Sequence, residues 1–254
     1  MPLRRRITLI VSLSIVLLVG ILFTVNRLDH LKMEQRIADV VFLGNKLICD
    51  QLLFQQFESL TSSVESIENE FELRTALKQN NQEDIEKFAS RFFGLTGDTG
   101  QYDILQLFTA NRLEVYSSAS ATRVQETSDI LSYLEGSSDY WRDVALLENN
   151  EIVAVLGFTI KSRKKIIGYG FFIKKLTNVL EKMSERGDFA TGLATKDHRL
   201  FESMNLQDPI LFDNKHFNYA KDSSQNVAEF NDSLFIVSSQ PVLNKNKEII
   251  GDLL

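Results

Sequence analysis

The chain has 254 residues, 44% of them hydrophobic and 24% charged, with a formal charge of −6. Its single cysteine, Cys49, excludes a disulfide framework, and His30, His198 and His216 are too scattered to form a metal-ligand motif. Four arginines and no acidic residue lie in 1–27, so the remainder keeps 24 basic against 34 acidic residues, a charge of −10. That balance argues against nucleic acid or an anionic lipid surface as partner.

Ile7 to Val25 is a run of nineteen residues without a charge, about 28 Å long as a helix, which predicts a transmembrane helix over 7–25 behind a cytoplasmic N-terminus, 1–6. Arg4, Arg5 and Arg6 precede the run, whereas Arg27, Lys32 and Arg36 beyond it are mixed with Asp29 and Glu34. The positive-inside bias then places Met1 in the cytoplasm and the rest of the chain on the far side of the membrane. A cleaved signal peptide is the rival reading, with a shorter apolar region and a small-x-small site, but Asn26-Arg27-Leu28-Asp29-His30 follows here. Both readings export the domain.

Residues 26–79 contain no proline and predict a long stalk helix, with Phe57, Leu60, Val64, Ile67 and Phe71 forming a seam at steps of three and four. The seam fits either a core helix packed on its own domain or a homodimer stalk. A second helix is expected from about Asn81 to Phe93, opened by a capping stretch.

From Tyr102 the period shortens. YDILQLFT and LEVYSS, joined at Asn111-Arg112, predict a hairpin; a short helix near Asp129 to Leu134 follows. YWRDVALL (140–147), EIVAVLGFTI (151–160) and KIIGYGFFI (165–173) are separated by turns short enough to require antiparallel neighbours. Apolar residues on both faces of 151–160 predict a central strand of a sheet of about five, and the successive runs read as a five-stranded meander. Lys174 to Arg186 is an amphipathic connecting helix with Gly187 as C-cap. Strand patterns then resume around Lys196-Asp197-His198-Arg199, Asn231-Asp232 and Asn244-Lys245-Asn246, giving two successive units of helix followed by antiparallel sheet.

Ile166-Ile167-Gly168-Tyr169-Gly170 feeding the connecting helix, and Lys247-Glu248-Ile249-Ile250-Gly251 near the end, complete a pattern that resembles the double Cache sensor regions of bacterial transmembrane receptors. The receptors in question are sensor kinases, chemoreceptors and cyclic-di-GMP enzymes. The resemblance implies an α+β fold with two PAS-like sheets. A membrane-distal domain with its connecting helix would occupy 80–186 and bind a small ligand such as an amino acid or organic acid. A membrane-proximal domain would occupy 187–254, incomplete at its C-terminus. Family receptors continue into a second membrane helix and an effector, so an end at Leu254 reads as a truncated receptor or a partner-dependent sensor. Glycine in these strand ends is expected to let the backbone pass close to a helix.

No catalytic motif stands out: there is no G-x-S-x-G, P-loop, H-E-x-x-H or C-x-x-C. Asp197-His198 falls at an expected hairpin tip, where turn geometry alone favours such residues. No enzyme activity, cofactor or metal is therefore expected. For ligand binding the first candidates are Tyr140, Trp141 and Arg142, an aromatic beside a guanidinium that can take a carboxylate bidentately. Alternation puts Tyr140 and Arg142 on one face and Trp141 and Asp143 on the other, so they cannot all line one pocket. The alternative is a core Trp141 and a solvated Arg142. Tyr102, Asp103, Tyr116 and Tyr169 are secondary candidates on the same sheet. The reading is a membrane-anchored sensor of a small ligand; the competing reading is a dimerising or scaffold module without one.

Overall fold

The structure is a computed structural model that describes the backbone of residues 3–97, 100–119, 122–136, 139–177, 180, 192–195, 200–202, 224–230 and 233–253. Most of the connecting helix, the Lys196-Asp197-His198-Arg199 turn and the Asn231-Asp232 turn lie outside those residues. The chain divides into two compact units, Met1–Leu47 and Ile48–Leu254.

The first unit is helical, the opening part of α1 (Leu3–Asn69). From Ile15 to Val25 its large apolar side chains are about half or more exposed, as are Met33, Ile37, Val40, Leu43 and Leu47 farther on. Among the described residues no helix is long and apolar enough to cross a membrane.

The second unit begins with the end of α1. Leu60, Val64 and Ile67 are fully buried, so this stretch of the seam packs on its own domain. Phe71 departs from the expectation: it is 74% exposed. The helix stops at Asn69, Glu70 is extended (φ −75°, ψ 93°), and α2 (Phe71–Gln79) starts afresh, which turns Phe71 out of the seam. The single stalk helix over 26–79 is thus two helices. Asn80, left-handed at φ 54°, closes α2, and Asn81 caps α3 (Gln82–Thr96) by accepting from the Asp84 amide.

The strands are β1 (Ile104–Thr109), β2 (Glu114–Ser117), β3 (Tyr140–Leu146), β4 (Ile152–Ser162) and β5 (Lys165–Lys175), with α4 (Thr127–Gly136) between β2 and β3. All pair antiparallel in the order β2-β1-β5-β4-β3. β4 is flanked on both sides, as expected of a central strand, but the order is not the expected meander, because β5 lies between β1 and β4. The segment containing α4 carries the chain from the β2 edge to the β3 edge, which leaves β5 to return between β1 and β4. Gly170 is required there, because a Cβ would meet the Phe158 ring at 2.3 Å; at Gly168 it would meet the Phe108 carbonyl oxygen at 2.6 Å. Both glycines therefore serve strand neighbours, with α2 only in ordinary contact through Leu77.

A second sheet follows, built from β6 (Gly192–Thr195), β7 (Leu200–Glu202), β8 (Ser224–Phe230), β9 (Ser233–Leu243) and β10 (Ile249–Leu253) in the order β7-β6-β10-β9-β8. Counted from its own first strand, this is the order of the first sheet. The two sheets meet through Val144, Ile152 and Ala154 on one side and Leu193 and Ile250 on the other, with Leu176 and Leu180 between them.

Candidate functional site

The first sheet has two faces, and both are covered. On one, Leu105, Leu107, Leu156, Phe158, Ile160 and Phe172 pack against α1, α2 and α3. On the other, Ile104, Phe108, Val153, Val155, Tyr169, Phe171 and Ile173 pack against Ile130, Leu131 and Leu134 of α4. Directly paired residues share a face, so the register places Ser117, Gln106, Phe171, Gly157 and Trp141 in one row across the α4 face. The adjoining rows are Phe108, Tyr169 and Thr159, and Ile104, Ile173, Val155 and Asp143. At Gly157 the helix comes closest: a Cβ would stand 3.0 Å from Ile130 and 3.2 Å from Leu134.

On this face, which also carries Ser117 and the partly buried Asp143, Gln106 at 0% and Thr159 at 2% are buried polar residues. The Gln106 Nε2 donates to the Thr122 carbonyl at 2.6 Å, but its Oε1 has no hydrogen-bond partner among the described residues. Leaving such an acceptor unpaired costs about 1–3 kcal/mol, so an incoming N–H or O–H donor would gain by satisfying it. Tyr169 shares the face, and burial first, then the Glu135 carboxylate, pushes its phenol above the ordinary range while Arg112 opposes the shift. Trp141 supplies a buried aromatic surface on the same face.

The remaining candidates are placed elsewhere. Arg142 extends from the opposite side of β3, is 56% exposed at its side chain and lies 3.5 Å from Glu58 of α1. Tyr140 shares that side, is partly exposed, and is raised in pKa by burial and by Glu68 and Asp139. The Tyr140-Trp141-Arg142 clamp is therefore split, as strand alternation requires. Tyr102 lies in the core against α3: it stacks on Phe172 at 4.4 Å, shares a hydrogen bond with the Thr96 hydroxyl, and is pushed up to about 12 by burial. Tyr116 is half-buried against the same core. Asp103 accepts from Lys174 Nζ at 2.8 Å and from the Lys175 amide at 2.8 Å, which pins the exit of β5. Of the seven candidates, only Trp141 and Tyr169 come together on the α4 face.

Gln106 and Thr159 were not among those candidates, although a signal for Gln106 exists: it is the one polar residue in the apolar run Ile104 to Phe108. No group of three or more His, Cys, Asp or Glu among the described residues could hold a metal. Burial, with Asp50 beside it, pushes the Cys49 thiol up to about 11, which makes it a poor nucleophile.

No family model matches the chain, and no curated protein does. Among solved structures it is similar to the ligand-binding domain of the Pseudomonas fluorescens chemoreceptor CtaA in complex with L-serine, at 12% identity and TM-score 0.43 over 87% of this chain and 96% of that one. It is also similar to the sensor domain of the V. cholerae histidine kinase DctB, at 14% identity and TM-score 0.42 over 80% and 93%. The ligand-binding domain of the Campylobacter jejuni chemoreceptor Tlp3 in complex with L-valine gives 13% identity and TM-score 0.39 over 83% and 91%. By their names, these structures are ligand-binding or sensor domains of two chemoreceptors and of a histidine kinase.

Proposed function

We propose that this chain is a membrane-anchored, extracytoplasmic sensor that binds a small ligand on the α4 face of its first sheet and signals through α1. The observation that carries the reading is the orphaned Oε1 of Gln106, a fully buried acceptor on the sheet face that also carries Tyr169 and, three strands away, Trp141. A few fixed polar groups in an apolar, aromatic surround are what a small-molecule site requires. The acceptor calls for a ligand with an N–H or O–H donor, which an amino acid's ammonium group provides. Signalling through α1 requires the ligand to favour one of two helix arrangements, since equal affinity for both shifts nothing.

The anchor rests on the uncharged run Ile7 to Val25 and on the exposure of its apolar residues from Ile15 onward. Homodimerisation through the stalk has a separate support: Met33, Ile37, Val40, Leu43 and Leu47 recur at helical spacing and are 49–71% exposed. Alkaline extraction of membranes checks the anchor, and cross-linking of the full chain in detergent checks the dimer.

The test of ligand binding is a thermal-shift screen of the full chain in detergent, beginning with amino acids, then organic acids, polyamines and purines. A ligand at 100 times its Kd raises stability by about 2.7 kcal/mol. If nothing in a broad library shifts the transition, the scaffold reading takes its place.

A further inference from the structure

Among the described residues, the turn between β9 and β10 carries contacts from the second sheet to the cover of the candidate site. That turn is stiffened from within by Asn244, which is only 5% exposed. Its Oδ1 accepts from the amides of Asn246 at 3.1 Å and Glu248 at 2.9 Å, and its Nδ2 donates to Glu248 Oε2 at 3.2 Å. Its backbone bonds Glu248 and Lys247, the latter left-handed at φ 61°. A loop so fully bonded moves as one piece.

Among the described residues, three contacts leave this piece for the first domain. The Lys245 amide donates to Asp143 Oδ2 on β3, the Lys245 ammonium stands 4.0 Å over the Tyr133 ring on α4, and Asn244 bonds Glu126 just before α4 begins. The other flank of α4 is held by Arg112 of the β1–β2 turn, which donates to Ser132 Oγ at 3.1 Å and pairs with Glu135. α4 is therefore gripped between two turns while Ile130, Leu131 and Leu134 press on the sheet. The apolar contact between the sheets involves β3, β4 and the start of the connecting helix. It does not include α4.

We propose that the Asn244–Lys247 turn is a clasp that couples α4 to the second sheet, so that a shift of the cover over the first sheet is carried to β9 and β10. A cation over an aromatic ring and a carboxylate bond to a backbone amide are both short-ranged and directional, so they hold at one position of α4 and weaken as it moves. The purpose of the clasp rests on the sensor reading; its existence does not.

Hydrogen exchange of the full chain in detergent, without ligand, tests it. Lys245→Ala and Asp143→Asn should each speed exchange of the α4 amides, 127–136, about five- to tenfold. Coupling is reciprocal, so Arg112→Ala, which loosens α4 from its far flank, should speed exchange in 241–253. Lys245→Arg keeps the cation and the amide and should leave α4 at wild-type rates. The clasp is overturned if Lys245→Ala leaves α4 unchanged, if Arg112→Ala is not felt in 241–253, or if acceleration is uniform through β4 and β5, which is global unfolding and not a local joint. Coupled exchange in a chain for which no ligand is found would count against the sensor reading and leave the clasp standing.

Discussion

The two faces of the first sheet are built from the same five strands yet differ in kind. Against α1, α2 and α3 the contacts are aromatic and aliphatic, and the Tyr102 hydroxyl has the Thr96 hydroxyl as partner; the unanswered polar atom on that side is Arg74 Nε of α2, a donor whose guanidinium still bonds the Glu68 carbonyl. Against α4 the packing is as tight at Gly157, but Gln106 is left with an unanswered acceptor and Thr159 and Tyr169 are buried beside apolar neighbours. The orphan on the α4 face is an acceptor lying within the sheet itself, where an apolar side chain of similar size would avoid the desolvation cost. On the proposed reading, the first face holds the fold together and the α4 face carries recognition.

The largest effect should come from the structural face. Phe172→Ala removes a ring stacked on Tyr102 and 4.8 Å from that of Phe158, and a cavity there should cost about 3–5 kcal/mol in urea unfolding. Gln106→Leu should behave oppositely. It removes the orphaned acceptor and forfeits one bond to the Thr122 carbonyl, so stability should stay within about 1 kcal/mol of wild type. Affinity for any ligand found in the thermal screen should fall at least tenfold, measured by titration calorimetry. A Gln106→Leu protein that binds as well as wild type would erase the distinction between the faces.

Much of this arrangement could be read from residue spacing, and the parts that could not have physical causes. The strands β3, β4 and β5 were legible because turns such as Glu148-Asn149-Asn150 leave antiparallel pairing as the only geometry. The order β2-β1-β5-β4-β3 was not, because nothing local to Ile104 to Thr109 says that its second neighbour lies sixty residues ahead. The break at Glu70 was hidden because Asn69-Glu70-Phe71 contains no proline or glycine and the apolar spacing runs on through Phe71. Alternation separated Trp141 from Arg142, but which of the two faced α4 depended on where α4 returned to the sheet. Gln106 was passed over because a single glutamine in an apolar strand gains meaning only once both faces are known to be covered.

A smaller effect concerns alkaline pH. A tyrosine is ordinarily half ionised near pH 10, and in the folded chain burial raises Tyr102 to about 12. A raised folded value means its contribution is fully present below about pH 10 and is lost as pH climbs towards 12, because the unfolded chain ionises first. The urea midpoint should therefore fall across that window. Tyr140 and Tyr169, also raised, add in the same direction. Tyr102→Phe should flatten the decline in part without altering the midpoint's behaviour below pH 9.

The smallest effect tests the division of the faces from its edge. Arg142 and Glu58 lie 3.5 Å apart with more than half of each side chain in water, a geometry in which charge attraction is largely offset by screening and by the entropy of holding two long side chains. Arg142→Ala should change stability by less than about 1 kcal/mol and leave ligand affinity within twofold, because its guanidinium stands on the side of β3 away from Trp141 and Tyr169. A tenfold loss of affinity in that variant would place the ligand on the α1 side of the sheet, and the role assigned to Gln106 would then pass to the exposed edge formed by Tyr140 and Arg142.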